Sequence, residues 1–326
     1  MSSEDSQNLT ALWPAAIRER LTSLKLKDGR AIAVLDASGL TVEAREALEG
    51  EVRTVLSSTP GVTQVHVAST AERAAAPKRP RVIAVGSGKG GVGKSTVSTN
   101  LAIALTQAGH RVGMVDADIY GPSQSRLLGT EGLRPIAREK KLIPVQSAWG
   151  VPVLSMAHLS APGEAIAWRG SMAGNALIQM LEGDWSGVDV LIVDLPPGTG
   201  DIQLTMLKRF KPDGAVIVST PQDLALMDAT RALDLFGKAG VPVIGFVENM
   251  AGYACPHCHE ISDPFGCGGA EAAAAEMSHP FLGRIPLDIT IRRESDAGTP
   301  PAAGDGPQAQ AFRDVAQGVS AWIATQ

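Results

Sequence analysis

The sequence predicts an α/β fold, a doubly wound and mostly parallel sheet, preceded by a small N-terminal α/β accessory segment. From residue 81 onward, short apolar runs alternate with helical patterns. Strands that are apolar on both faces belong to parallel sheets that helices cover on each side. A glycine-rich stretch between the first run and a helical pattern supports the same fold. The predicted strands are 82–85, 112–115, 151–156, 190–193, 215–219 and 241–247.

The first part of the chain predicts a separate small unit. Residues 31–35 and 62–67 have strand character, and residues 42–56 have helical spacing. Small, charged and proline residues dominate residues 70–80, which have little apolar surface to bury and so predict a linker. We therefore expect an accessory domain over 1–69, a linker over 70–80 and a large domain over 81–326.

Composition and charge narrow the class of protein. A chain of 326 residues can bury a sizeable core, as one large or two modest domains. Its net charge of −5 offers no bulk attraction for nucleic acid or for an anionic membrane, and we expect neither as a partner. The N-terminus is polar and acidic, and no apolar run is long enough to span a bilayer. A cytoplasmic location is the expectation.

A phosphate-binding loop follows the first predicted strand. Residues 86–96 read Gly-Ser-Gly-Lys-Gly-Gly-Val-Gly-Lys-Ser-Thr, and a helical pattern opens at Lys94. Glycines let backbone N–H groups curl around phosphate oxygens, and the helix directs its positive dipole end at the same anion. We expect Lys94 to reach the β- and γ-phosphates and the Ser95 hydroxyl to bind Mg²⁺. The candidate nucleotide-binding residues are Gly88, Lys89, Gly90, Gly91, Val92, Gly93, Lys94, Ser95 and Thr96.

Carboxylates stand at the ends of two further strands. Asp194 follows an apolar run, as a buried carboxylate that binds Mg²⁺ through water should. Asp116 and Asp118 alternate at the end of another strand. They fit either caps for the next segment or, beside a phosphate loop, groups that hold Mg²⁺-bound water and orient the attacking water. Gly198 can bring its N–H close to the γ-phosphate, so we expect a nucleotide switch there.

All three cysteines lie within thirteen residues. Cys255 and Cys258, with two residues between them, suit one metal centre because both thiolates can reach the same ion or cluster edge. Two thiolates do not complete a four-ligand site, whereas two copies of the chain do. His257 and His259 keep a zinc site open as an alternative. We interpret Cys267 as a small residue in a glycine-rich turn. Alternatively, it could be a spare metal ligand or a redox partner.

Two other interpretations are disfavoured. The Cys-Pro-His-Cys sequence also occurs in periplasmic disulfide oxidoreductases, but that chemistry needs a helix that begins at the first cysteine. Here the segment trails a nucleotide strand and is broken by Pro264 and glycines. A C-terminal helix could act as a membrane anchor, yet Arg313 is its single basic residue, so we expect core packing. The apolar residues at helical spacing are Phe312, Val315, Val319, Trp322 and Ile323.

The extra lysine of the phosphate loop, Lys89, indicates which class of phosphate-loop protein the chain resembles. Lys-Gly-Gly-Val-Gly-Lys-Ser-Thr resembles the deviant phosphate-loop ATPases, which include nitrogenase iron protein and the MinD and ParA ATPases. The resemblance implies a nucleotide-controlled homodimer in which Lys89 reaches the partner's nucleotide, with Lys94 also catalytic. It further implies that Asp118 orients the attacking water with Asp116 as its switch I companion, and that Asn249 reads the adenine edge, to which an amide can pair twice.

A longer series of motifs is similar to the Mrp/ApbC family of iron–sulfur cluster carrier ATPases. The phosphate loop is followed by Asp-Ala-Asp-Ile-Tyr-Gly-Pro-Ser, Trp168-Arg-Gly, Asp-Leu-Pro-Pro-Gly-Thr-Gly-Asp, Glu-Asn-Met and Cys-Pro-His-Cys, then by Phe-Leu-Gly-Arg-Ile-Pro-Leu-Asp and Asp-Ala-Gly. The similarity covers roughly residues 81 to 300. It implies ATP and Mg²⁺ as ligands and a homodimer that bridges a labile 4Fe–4S cluster through both cysteine pairs. Cluster assembly machinery and apo iron–sulfur proteins would be its partners.

The same resemblance bears on the N-terminal segment. The family often carries a small α/β assembly domain there, but residues 1–69 contain no cysteine and no Asp-Pro-Glu signature. We interpret the segment as a degenerate copy. Two alternative functions remain for the whole chain: a MinD- or ParA-like ATPase that organises a membrane or DNA, and a zinc-stabilised regulatory ATPase dimer. The first leaves the cysteine pair unexplained, and metal analysis separates the second.

Overall fold

The chain divides into two units, Met1–Lys78 and Arg79–Gln326. The computed structural model describes residues 13–70, 79–159, 170–198, 201–255, 257–258 and 260–326. Residues 1–12 of the predicted accessory domain and residues 71–78 of the predicted linker lie outside these ranges. So do the motif residues Trp168, Arg169, Thr199, Gly200, Pro256 and His259. Each unit has its own hydrophobic core.

A three-stranded sheet forms the first unit. Its strands are β1 (Leu21–Lys27), β2 (Arg30–Asp36) and β3 (Gln64–Thr70), in the order β1-β2-β3. The β1–β2 pair is antiparallel and turns at Asp28 and Gly29, which both have positive φ, as a two-residue Asp-Gly hairpin turn requires. Strand β3 runs parallel to β2 and continues to Thr70.

The described part of this unit also contains two helices, α1 (Ala15–Arg18) and α2 (Val42–Ser57). The Thr41 side chain accepts the N–H of Ala44 at 3.2 Å and so caps α2. Apolar side chains of the helices meet the alternate, inward-facing residues of β2. The buried residues of this core are Trp13, Ile17, Ala31, Ala33, Leu35, Val52 and Leu56.

An eight-stranded sheet forms the centre of the second unit. Its order is β15-β12-β11-β4-β10-β5-β9-β8, all parallel except β8, which is antiparallel to β9. The strands of this unit are β4 (Arg81–Gly86), β5 (Val112–Asp116), β6 (Ile136–Arg138), β7 (Lys141–Ile143), β8 (Val145–Gln146), β9 (Pro152–Ser155), β10 (Val190–Asp194), β11 (Gly214–Ser219), β12 (Val243–Asn249), β13 (Tyr253–Ala254), β14 (Ile261–Ser262) and β15 (Phe281–Ile285).

Helices cover both faces of this sheet, which confirms the doubly wound fold predicted from the apolar strands. They are α3 (Lys94–Gln107), α4 (Gln124–Leu127), α5 (Gly170–Leu181), α6 (Asp201–Phe210), α7 (Asp223–Ala239), α8 (Gly269–Glu276), α9 (Ile289–Asp296) and α10 (Pro307–Ala324). One core forms where α3 and α10 lie, and the other contains buried residues of α5, α6 and α7. Phe312, Val315 and Val319 of α10 are buried, so this helix packs in the core as predicted.

Strand register places the polar strand ends side by side. Asp194 at the end of β10 aligns with Asp116 of β5 on one side and with Val85 of β4 on the other. Because the three strands are parallel, their carboxyl ends meet at one edge, which is where ligands bind in open α/β sheets. This edge therefore carries the candidate site.

The structure differs from the sequence prediction at β12 and β15. Pro242 has no N–H for a sheet ladder, and β12 runs from Val243 to Asn249 rather than over 241–247. Strand β15 was not predicted because Gly283 and the charged Arg284 interrupt its apolar pattern. Among the helices that the structure describes, none combines the length and the apolar character needed to cross a membrane.

Candidate functional site

The glycine-rich loop encloses a cavity of about 210 Å³ at the start of α3. Residues 87 and 89–96 line it, together with Asp118 and Pro197 from neighbouring strand ends. Gly93 is the N-cap of α3, and no side chain that the structure describes caps this helix. The backbone N–H groups of its first turn are therefore left for an anion, the arrangement that phosphate sites use.

Packing against other elements explains two glycines of this loop. Gly93 has φ +79°, and a Cβ there would lie 2.1 Å from Nδ2 of Asn249. A Cβ at Gly88 would lie 1.9 Å from the carbonyl oxygen of Asp228 on α7. Neither contact leaves room for a side chain. The absence of a side chain at these glycines therefore lets Asn249 and Asp228 approach the loop backbone closely. The glycines also provide the backbone freedom that phosphate binding needs.

Lys94 and Asp194 form a buried ion pair behind the loop. The Lys94 ammonium lies 2.6 Å from Oδ1 of Asp194, with side chains 6% and 0% exposed. The same oxygen accepts the Ser98 hydroxyl at 2.9 Å, and the second oxygen accepts Nε2 of Gln124 at 2.8 Å. Each charge is thus compensated away from water, the condition under which a buried pair is tolerated.

Sequence reasoning missed Gln124 and Ser98. Nε2 of Gln124 also donates to the Ser95 carbonyl at 3.0 Å, and its Oε1 accepts the Thr99 hydroxyl at 2.5 Å. Ser98 lies four residues after Lys94, on the same helical face, and that spacing is a signal that identifies it. No sequence pattern marks Gln124, because its side-chain partners lie on two other elements, α3 and β10.

Asp116 is fully buried and anchors the chain beyond β5. Its Oδ2 accepts the backbone N–H groups of Ser123 and Gln124, both at 2.9 Å, and the Ser155 hydroxyl at 2.8 Å. Burial, and next the negative charge of Asp194, raise the pKa of Asp116 to about 7, although the hydrogen bonds from Gln124 and Ser155 act in the opposite direction. Its contacts are those of a cap for α4, one of the two roles predicted for it.

Asp118 lies in a different environment from Asp116. It lines the phosphate-loop cavity, whereas Asp116 does not. Its Oδ1 accepts the N–H groups of Tyr120 and Gly121, both at 3.2 Å, and so its carboxylate is held by its own turn. The structure therefore separates the two carboxylates: Asp118 is at the cavity and Asp116 lies behind it.

The predicted switch glycine contacts the phosphate loop directly. The N–H of Gly198 donates to the Ser87 carbonyl at 3.1 Å, and Gly198 has φ +92°. Pro197 beside it lines the cavity, and its carbonyl accepts Nε2 of Gln203 at 2.7 Å. The segment after β10 thus lies within reach of a phosphate in the cavity.

Asn249, the candidate adenine reader, also contacts the loop. Its Nδ2 donates to the Val92 carbonyl at 2.8 Å, and the residue is 7% exposed. Lys89 is half-buried at the rim of the cavity, and among the described residues no carboxylate lies within ion-pair distance of its ammonium. Residues 89–96 and Asp118 thus line one cavity, and Gly198 and Asn249 bond to the loop beside it. Gly88, Asp116 and Asp194 do not line the cavity.

The cysteine pair lies on a hairpin that begins just after β12. Strands β13 and β14 pair antiparallel, and the N–H of Cys255 donates to the Glu260 carbonyl at 3.0 Å. The backbone N–H groups of Cys258 and His257, and the Cys258 thiol, hold the pKa of Cys255 below its usual value. The hairpin thus brings Cys255 and Cys258 into contact, and Cys258 is exposed.

Among the described residues, no further candidate metal ligand joins this pair. Over the part of the chain that the structure describes, no group of three or more histidine, cysteine and carboxylate residues could hold a metal ion. His257 is exposed. Cys267 is exposed as well, and it precedes Gly268, the N-cap of α8. The described residues of the chain therefore offer two thiols in contact and no closed metal site.

Comparison with known families identifies the group to which the chain is related. A family profile described as ParA, NUBPL iron-transfer P-loop NTPase, matches residues 78–320. The chain belongs to this family. The match covers the whole phosphate-loop unit except its last residues, and it confirms the resemblance inferred from the motifs.

Curated relatives of this family carry related names. A protein from Deinococcus radiodurans named iron-sulfur cluster carrier protein is 46% identical over 288 residues, 86% of this chain and 81% of the relative. A protein from Arabidopsis thaliana, named iron-sulfur protein required for NADH dehydrogenase, mitochondrial, is 44% identical over 242 residues, 73% of this chain and 77% of the relative.

Solved structures support the fold. A nucleotide-binding protein from Archaeoglobus fulgidus, in complex with ADP, is 38% identical with a TM-score of 0.60, over 67% of this chain and 86% of that one. The cell division ATPase MinD from Pyrococcus furiosus is 26% identical with a TM-score of 0.56, over 74% of this chain and 99% of that one. Both agree with the predicted doubly wound P-loop fold.

Proposed function

We propose that the chain is an ATP-binding and ATP-hydrolysing iron–sulfur cluster carrier. Two copies would hold one 4Fe–4S cluster between their Cys255 and Cys258 pairs and pass it to apo iron–sulfur proteins, after cluster assembly machinery has supplied it. The observation that carries this proposal is the hairpin that sets the two thiols in contact directly beyond the nucleotide site. Family membership and the names of the relatives support it. A cytoplasmic location stays a prediction.

The number of thiols argues for a dimer. A 4Fe–4S cluster takes four thiolates, and the hairpin of one subunit supplies two that are in contact. The cluster is the cargo of the protein, so an exposed and incomplete half-site suits its release better than a closed one. Lys89, half-buried at the cavity rim, suits the role implied for it at a partner's nucleotide.

The phosphate-loop residues fit a nucleotide triphosphate. The N–H groups of residues 89–96 and the Lys94 ammonium would hold the phosphates, and Asn249 would lie at the adenine side. Ser95 and, through water, Asp194 would hold Mg²⁺, which supplies charge neutralisation at the β- and γ-phosphates. Asp118, which lines the cavity, would orient the water that attacks the γ-phosphate.

The ion pair between Lys94 and Asp194 sets a condition for binding. Lys94 lies 2.6 Å from Asp194, so its ammonium has to leave this carboxylate to reach a phosphate. Neither group can be left unpaired at 6% and 0% exposure without a large desolvation cost. We therefore expect the triphosphate and Mg²⁺ to bind together, because each provides a new partner for one member of the pair.

Metal analysis of the anaerobically purified, full-length protein tests the proposal. Reconstitution with iron and sulfide is expected to give about four iron per dimer and a broad thiolate-to-iron absorbance. The same protein reconstituted with zinc alone serves as the comparison. A protein that stays monomeric with every nucleotide and holds no iron would refute the proposal. Stoichiometric zinc that iron does not displace would instead support the zinc-stabilised dimer.

Lys89→Ala tests the role of the extra lysine. We expect this variant to bind ATP, because Lys94 and the loop N–H groups remain, but to lose most of its turnover, because the partner's γ-phosphate lacks its cation. Phosphate release measured at saturating ATP gives the turnover. Lys27→Ala, which removes an exposed lysine from β1, is the matched control. Normal hydrolysis by the Lys89 variant would count against a role across the dimer.

A further inference from the structure

The last two residues of β12 hold the two ends of the cysteine-bearing segment. Glu248 is 0% exposed and accepts the N–H groups of Gly268 at 3.0 Å and Ala270 at 2.7 Å, where the segment ends. It also accepts Nε of Arg284 at 3.1 Å. Three donors on a buried carboxylate make a firm anchor. The far end of the segment is thus tied to the sheet.

The near end of the segment is tied to the phosphate loop as well as to β15, where Asn249 pairs with Ile285. Nδ2 of Asn249 donates to the Val92 carbonyl at 2.8 Å and lies where a Cβ of Gly93 would be. The next residue, Met250, has φ +61°, and Cys255 follows five residues later. Between them, the N–H of Ala251 donates to the Ile285 carbonyl at 3.0 Å. A short, bonded stretch of backbone therefore joins the loop contact to the hairpin.

The two anchors differ in strength and in what they touch. Glu248 bonds to Arg284 of β15 and to the start of α8. None of these three bonds involves a residue of the phosphate loop. Asn249 has one hydrogen bond to the loop, and that bond is made to Val92, which precedes the N-cap of α3. A ligand that reorients the loop backbone would therefore act on the near end of the segment through the Asn249 amide, whereas no bond of Glu248 reaches the loop.

We propose that Asn249 is a positioning residue that transmits the conformation of the phosphate loop to the Cys255–Cys258 hairpin. The link is the hydrogen bond from its amide to Val92, and its consequence is that nucleotide in the loop changes the exposure and spacing of the two thiols. This inference rests on the proposed nucleotide and cluster sites. It assigns Asn249 a task that adenine recognition does not require, because the coupling uses the N–H donor and the loop backbone rather than the base.

Thiol alkylation of the full-length protein tests the link. In a Cys267→Ser background, iodoacetamide reports on Cys255 and Cys258, and mass spectrometry resolves their rates. ADP and a non-hydrolysable ATP analogue are added at concentrations that saturate each variant. In the otherwise unchanged protein we expect nucleotide to change the rates by about fivefold or more, the size of a typical coupling between sites.

Variants of Asn249 separate the donor from the rest of the side chain. Asn249→Ala removes the amide, and Asn249→Asp keeps its shape but has no N–H to donate to Val92. In both we expect the alkylation rates to agree within about twofold with and without saturating nucleotide. Ile261→Ala, at an exposed position of β14 in the same hairpin, is the matched control and should keep the full response. The isosteric aspartate provides the test if the alanine variant fails to fold.

Three results would overturn the inference. One is a full nucleotide response in both Asn249 variants. Another is a loss of the preference for ATP over GTP with the thiol response intact, which would make Asn249 an adenine reader alone. The third is an unchanged alkylation rate in the parent protein although nucleotide binds. None of these results depends on the iron content of the reconstituted dimer. The proposed carrier function is therefore tested independently of this inference.

Discussion

Cys255→Ala and Cys258→Ala are each expected to abolish the iron–sulfur cluster of the reconstituted dimer. Each substitution removes one thiolate per subunit, so a dimer keeps two ligands where a 4Fe–4S cluster takes four. In Cys258→Ala, Cys255 also loses its hydrogen bond with the Cys258 thiol, while the larger backbone N–H contributions of residues 258 and 257 to its lowered pKa remain. Iron and sulfide content per dimer, with the thiolate-to-iron absorbance, measures the effect.

The third cysteine provides the control for this experiment. Cys267 is exposed and lies before α8, outside the hairpin that carries the pair. Cys267→Ala should therefore retain about four iron per dimer. An unchanged cluster in both the Cys255 and the Cys258 variant would refute the assignment of these residues. A loss in the Cys267 variant as well would make Cys267 a ligand, the alternative left open by the sequence.

Lys94→Ala is expected to lose nucleotide binding and to destabilise the phosphate-loop unit. Removal of one partner leaves Asp194, at 0% exposure, as an uncompensated buried charge. Breaking a buried pair in this way costs roughly 3–5 kcal/mol. The free energy of unfolding from urea titration measures the second effect, and titration with a fluorescent ATP analogue measures the first.

A double variant distinguishes the two effects. Lys94→Met with Asp194→Asn replaces both charges, and neutral partners of similar volume remove most of the desolvation penalty. We expect this variant to regain most of the lost stability and still to bind no nucleotide. If Lys94→Ala alone is as stable as the parent protein, the pair seen in the structure does not hold the two charges in solution. If the double variant binds ATP normally, Lys94 is not the phosphate ligand.

The amino-acid sequence alone predicts the fold class and the chemical character of the site. Apolar runs with no alternation predicted a parallel sheet, because strands buried on both faces have no polar side. The glycine-rich loop, the strand-end aspartates and the cysteine pair were found because each is a local pattern whose chemistry depends on spacing along the chain. Strand β15 was not predicted, because Gly283 and Arg284 interrupt its run of apolar residues.

The folded chain was needed to show which of these groups contact one another. Lys94 pairs with Asp194, and Asn249 bonds to Val92, across 100 and 157 residues of chain. Gln124 joins the same network, although no spacing marks it. Such contacts depend on the register of parallel strands and on how helices pack over them, and neither is encoded in a short stretch of residues. For this reason the residues of the site can be predicted from the sequence, whereas the hydrogen bond that links the phosphate loop to the strand before the cysteine hairpin is found only in the structure.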